Sequence, residues 1–190
     1  MLKIQNEIDL PPLGPGWAGA VMGLGISSTL IDVHVTPLLG SAPSKAMLGA
    51  ATILAISLVF GFLKHHNPGF RAADMPAWGM VSMGILSLGS AYSLIYDSWS
   101  VHTLCWAIGT VLGAVTCIRF LMFLICDRPS APAFTWGLPL VAPMVAATSS
   151  AQLAPHAGEW GSIVHSIGVI SFALAWLTGC LLYTSDAADE

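Results

Sequence analysis

The chain has 190 residues, of which 55% are hydrophobic and only 8% charged. A water-soluble domain carries about 25% charged residues, so a soluble globular fold is excluded. The net charge of −4 leaves no basic footprint for nucleic acid.

The opening stretch, MLKIQNEIDLPPLGP, is polar and proline-rich and reads as no cleavable signal peptide. Six apolar spans follow, at residues 16–31, 45–63, 75–95, 101–125, 134–154 and 159–179. Each is near the roughly 20 residues that a bilayer requires. The connectors, among them LKHHNPGFRAAD, YDSWS, CDRPSAP and PHAGE, are short and polar or carry proline. Consecutive spans are therefore expected to be antiparallel neighbours, and no linker separates two domains. The expected fold is an all-α integral membrane protein with three antiparallel helical hairpins.

Basic residues set the expected orientation. A cytoplasmic N-terminus puts Lys3, Lys64, Arg71, Arg119 and Arg128 on the inner side and leaves Lys45 outside.

Odd and even spans differ in side-chain size. Span one carries Gly16, Gly19, Gly23 and Ser27, and span three Gly79, Ser82, Gly89, Ser90 and Ser93. Each set recurs at helical spacing and so shares a face. Span five, TWGLPLVAPMVAATSSAQLA, contains Pro139 and Pro143. An interior proline lacks an N–H and costs about 3 kcal/mol in an ordinary helix. The two vacated acceptors, the carbonyls of Thr135 and Pro139, fall one turn apart on one face. Within a bilayer such gaps persist where protein or a watery cavity satisfies them. With Ala146, Ala147 and Ser150 continuing the face, the helix reads as a wall of a pathway. Even spans are bulkier, as in TILAISLVFGFL and CIRFLMFLI. One small-residue stripe alone means close helix packing. Three on alternating spans point to an inner ring of odd helices, with Gly19, Gly23, Ser27, Ser82, Ser90, Pro139, Pro143, Ala146 and Ser150 as pore-lining candidates.

Arg119 is the only lysine or arginine in the interior of a span, Lys45 standing at the first position of span two. An arginine at the bilayer centre costs about 2.5–3.5 kcal/mol, so it either snorkels to the headgroups or attracts anions at the inner mouth. Asp32, His34, His102 and His165 fall towards the outer side. Haem across two helices needs histidines paired at matching depth, and only His165 is well inside, so hydrogen bonding is favoured over metal or haem. His65 and His66, beside Lys64, read as a solvated inner face. Cys105, Cys117, Cys126 and Cys180 form no CxxC pair and read as small apolar fillers.

An intramembrane enzyme or a haem- or quinone-binding protein is the competing class. Gly89-Ser90-Ala91 lacks the spacing of a GxSG serine motif, and there is no HExxH pair or phosphate-binding loop. Neither catalysis nor a cofactor is assigned. The last stretch, CLLYTSDAADE at 180–190, resembles the translation of a sequencing adapter. It is expected to be an artefact appended to a membrane domain at 1–179.

The stretches GPGWAGAVMGLGISSTL (14–30), WGMVSMGILSLGSAYSL (78–94) and WGLPLVAPMVAATSSAQLA (136–154) resemble the tellurite-resistance/dicarboxylate transporter family. That family is related to plant slow anion channels and to yeast malate and sulfite transporters. The resemblance implies ten helices in five hairpins around a central pore lined by odd helices, in a homotrimer. It further implies transport of a small anionic solute (C4-dicarboxylate, sulfite or a tellurite-type oxyanion) across the plasma-membrane bilayer, with a cytoplasmic N-terminus. The family's occluding phenylalanine lies on a ninth helix, and Phe134 and Phe172 do not substitute for it.

Overall fold

The computed structural model describes residues 13–66, 69–127 and 134–186. Lys3 and Arg128, used in the orientation argument, lie outside these residues. The described chain is helical, in the order α1 (Ala18–His34), α2 (Thr36–Leu39), α3 (Ala42–His65), α4 (Met75–Tyr96), α5 (Trp99–Asp127), α6 (Gly137–Leu153) and α7 (Gly161–Asp186). Spans one to six of the sequence correspond to α1, α3, α4, α5, α6 and α7. The last helix continues past Gly179 to Asp186.

The boundaries follow from local chemistry. Proline stands in the first turn at the starts of α3 and α4, where its missing N–H has no intrahelical partner to lose. His66 ends α3 in the left-handed region at φ 50° and donates its backbone N–H to the Phe62 carbonyl at 2.7 Å. Asp97 ends α4 in the same way at φ 54°.

Among the described residues, five helices are long and apolar enough to cross a membrane, at Pro15–His34, Ala42–His65, Ala72–Tyr96, Trp99–Cys126 and Gly158–Cys180. The remaining one, α6, has 17 residues of α-helix, lengthened by 3-10 turns at Phe134–Trp136 and Ala154–His156. The expectation of two interior prolines in this segment is corrected. Because α6 begins at Gly137, Pro139 stands in its first turn, where N–H groups lack intrahelical acceptors. Pro143 is the one interior proline of α6.

Packing separates the odd spans from the even ones. The helices of the odd spans, α1, α4 and α6, lie side by side with α4 in the middle. Of the even spans, α3 packs on α1, α5 on α4 and α6, and α7 on α6. One core joins Ala18, Val21, Leu48, Ala51, Leu58, Leu88 and Ala91, and another joins Met75, Cys117, Phe120 and Leu140. On the outside the even helices expose large apolar side chains. Ile53, Phe60 and Leu63 project from α3, Leu104, Val111 and Met122 from α5, and Ile170 and Trp176 from α7. A surface of that kind is solvated by lipid tails.

Candidate conduit wall

The glycines of α1 divide into two kinds. A Cβ built on Gly25 would lie 2.9 Å from Ser87 Oγ, so Gly25 is where α1 closes on α4. A Cβ on Gly16 or Gly23 meets nothing within 4 Å, and one on Gly19 meets only Met80 Sδ, at 3.3 Å. The Gly16–Gly19–Gly23 stripe is exposed, and Ser27 beside it is half-buried. These small residues face away from the packed core.

The small residues of α4 do the opposite. A Cβ on Gly79 would stand 2.9 Å from Pro139 Cα, and one on Gly89 would stand 2.6 Å from Cys105 Cβ. Buried Ser82 donates through Oγ to the Gly109 carbonyl of α5 at 2.8 Å. Ser90 is half-buried, and its carbonyl accepts from Ser93 Oγ at 2.9 Å and from Gln152 Nε2 at 3.4 Å. Gln152 Nε2 also donates to Ser93 Oγ at 3.1 Å, which ties α6 to α4.

On α6, Pro139, Pro143, Ala146 and Ser150 are all buried. Ser150 Oγ accepts from Trp106 Nε1 at 2.7 Å and donates to the Ala146 carbonyl at 2.8 Å. A Cβ on Gly168 of α7 would come within 2.7 Å of Ser150 Cβ. The side of α6 bearing Pro139 and Ser150 is therefore clasped by α4, α5 and α7. The exposed side carries Val141, Thr148 and Ala151, with Gln152 half-buried beside them. Thr148 Oγ1 donates to the Val145 carbonyl at 2.9 Å, and its hydroxyl oxygen keeps lone pairs.

The charged and histidine candidates are placed apart from one another. Asp32 accepts from Ser44 Oγ at 2.8 Å and Thr36 Oγ1 at 3.2 Å, joining the end of α1 to the start of α3. His102 is deeper than a place at a span's outer start suggests. Its ring is fully buried, with Nε2 2.9 Å from Ser149 Oγ and Nδ1 unpartnered. His34, His65, His66 and His165 are exposed. Among the described residues no three His, Cys, Asp or Glu side chains form a group able to hold a metal ion. Arg119 is exposed on α5, its guanidinium carbon 5.6 Å from the ring centre of Phe70. It is carried by α5, the helix of an even span.

Reading the sequence for stripes of glycine, proline and serine missed Thr148, Gln152 and Trp106. An amide inside an apolar span is a signal in its own right, and Gln152 was available on that ground.

The profile of the voltage-dependent anion channel family matches residues 12–185. No curated protein and no solved structure matches the chain. The match covers nearly the whole chain, which belongs to that family, as the resemblance of its odd spans implies.

Proposed function

We propose that, within this channel family, the chain supplies one side of a conduit for small anions, of the C4-dicarboxylate, sulfite or tellurite-type oxyanion class. One observation carries this reading. The helices of the odd spans stand in an unbroken row, and two of them turn uncharged faces away from the packed core. Gly19, Gly23 and Ser27 on α1 and Thr148 with Gln152 on α6 line the path, and Ser90 borders it. Ser82, Pro139, Pro143, Ala146 and Ser150 stand directly behind, setting the spacing of the row. Such a wall offers hydroxyl and amide dipoles in place of fixed charge, so an anion is held weakly and leaves readily.

The row curves into a closed ring when further hairpins follow it, to a total of ten helices in five hairpins, assembled as a homotrimer. The protein sits in the plasma membrane with its N-terminus in the cytoplasm.

The test is to express the full open reading frame, reconstitute it in liposomes and follow influx of malate, sulfite and chloride against a cation control. Anion flux above that of empty vesicles is expected, falling when Gly23 is replaced by Leu. Vesicles that pass no anion would sink the reading, and a Soret band on the purified protein would favour the haem alternative.

A further inference from the structure

Two peripheral features take no part in the conduit. The first is Arg119, a charge among exposed apolar neighbours on α5, Val115, Ile118 and Met122. Among the described residues no carboxylate pairs with it. A rise of 1.5 Å per residue puts it about 30 Å along α5 from Trp99. That distance is comparable to the thickness of the hydrocarbon core.

The second feature is a crevice of roughly 160 Å³ with an almost wholly apolar lining that includes Leu58, Phe62, Trp78, Val81, Ile85 and Leu88. It exists because α3 packs mainly on α1 and only lightly on α4. A ridge of aromatic rings joins the two features. Arg119 lies over Phe70, Phe70 is 5.0 Å from Trp78, and Trp78 is 5.2 Å from Phe62, edge to face. Trp78 Nε1 donates to the Gly69 carbonyl at 2.9 Å, which fixes the Phe70 segment onto α4. Lys64 and Arg71, both exposed, belong to the same end of the molecule.

We infer that Arg119, Phe70 and the crevice between α3 and α4 form a binding site for one anionic phospholipid. The phosphate pairs with the guanidinium, the Phe70 ring holds that group flat, and an acyl chain enters the crevice past Phe62 and Trp78. The positive head and the apolar slot, joined through the contacts of Phe70 with Arg119 and Trp78, match a phospholipid better than a peptide or a soluble anion. Each half supplies what the other lacks: the phosphate neutralises a charge facing lipid, and the chain fills the gap left by loose α3–α4 packing.

The chain in phosphatidylcholine nanodiscs, titrated with phosphatidylglycerol, tests this by native mass spectrometry of retained lipid. Wild-type protein should retain phosphatidylglycerol about fivefold better than Arg119→Gln, the contribution of one basic residue at an anionic surface. Phe70→Leu should lower retention in the same direction. Val81→Phe, which fills the crevice without changing charge, should reduce retention of both lipids, while Lys45→Gln at the opposite end should retain both as wild type does. Equal retention by wild type, Arg119→Gln and Val81→Phe overturns the site. Displacement of the lipid by millimolar glycerol phosphate or inorganic phosphate also overturns it, by making it a site for free phosphate. So do spectra in which wild type retains no lipid and a second copy covers the crevice.

Discussion

His102 of α5 and Ser149 of α6 meet 2.9 Å apart, Nε2 to Oγ, with the imidazole fully buried. It is a direct side-chain bond between these two helices, and the other ring nitrogen has no partner. A buried polar group that loses its partner pays its full desolvation penalty. Ser149→Ala should therefore destabilise the protein by roughly 1–3 kcal/mol. A thermal melt in detergent that is unchanged would show that the bond contributes nothing.

Glycine substitutions should split by position. Gly89→Ala drives a methyl group to 2.6 Å from Cys105 Cβ, against a helix that is packed on both sides. Overpacking of this kind costs about 1–3 kcal/mol. Gly23→Ala meets open space and removes the entropy cost of a helical glycine, so it should leave stability unchanged or raise it by up to about 1 kcal/mol. Gly23→Leu should melt like wild type while cutting anion flux towards the empty-vesicle rate. If both glycines behave alike in melts, the distinction between packed and open faces is wrong.

The two prolines of α6 should also behave differently. Pro143→Ala gives back an N–H for the Pro139 carbonyl, straightens α6 and should change anion flux. Pro139→Ala acts in the first turn and should leave flux near wild type. A larger effect from Pro139→Ala in the same vesicles would contradict this account of the helix start.

Asp32 is the joint between α1 and α3. Asp32→Ala strips Ser44 and Thr36 of a shared acceptor and should lower stability by about 1–3 kcal/mol, while Asp32→Asn, which still accepts, should lower it less. Urea or thermal unfolding of the two variants side by side decides it.

The helices and their apolarity were legible in the sequence, and among the described residues five of them are long and apolar enough to cross a membrane. The channel family was legible too, from the glycine and proline patterns of three odd spans. What periodicity could not supply was the neighbour that each face meets. Gly23 and Gly89 look equivalent as letters, yet one faces open space and the other receives Cys105. Ser150 reads as a pore hydroxyl until Trp106, 44 positions earlier in the chain, turns out to donate to it. The proline reading failed for a related reason: whether a proline is interior depends on where its helix starts. That start follows a 3-10 turn at Phe134–Trp136 which apolarity alone does not mark.

The place of α4 has a consequence for how such a chain can diverge. It is flanked by α1, α5 and α6, and its contacts are keyed to angle: Ser82 to Gly109, Gly79 to Pro139, Gly84 to Ala18, Gly89 to His102. One residue inserted near Val81 would turn everything after it by about 100°, pointing Gly89 away from α5 and a bulkier neighbour into it. In α3, which presents lipid with much of its circumference, the same insertion mostly exchanges one apolar side chain for another. Lineages of this protein should therefore gain and lose residues in the outer helices and loops, while the length of α4 stays fixed.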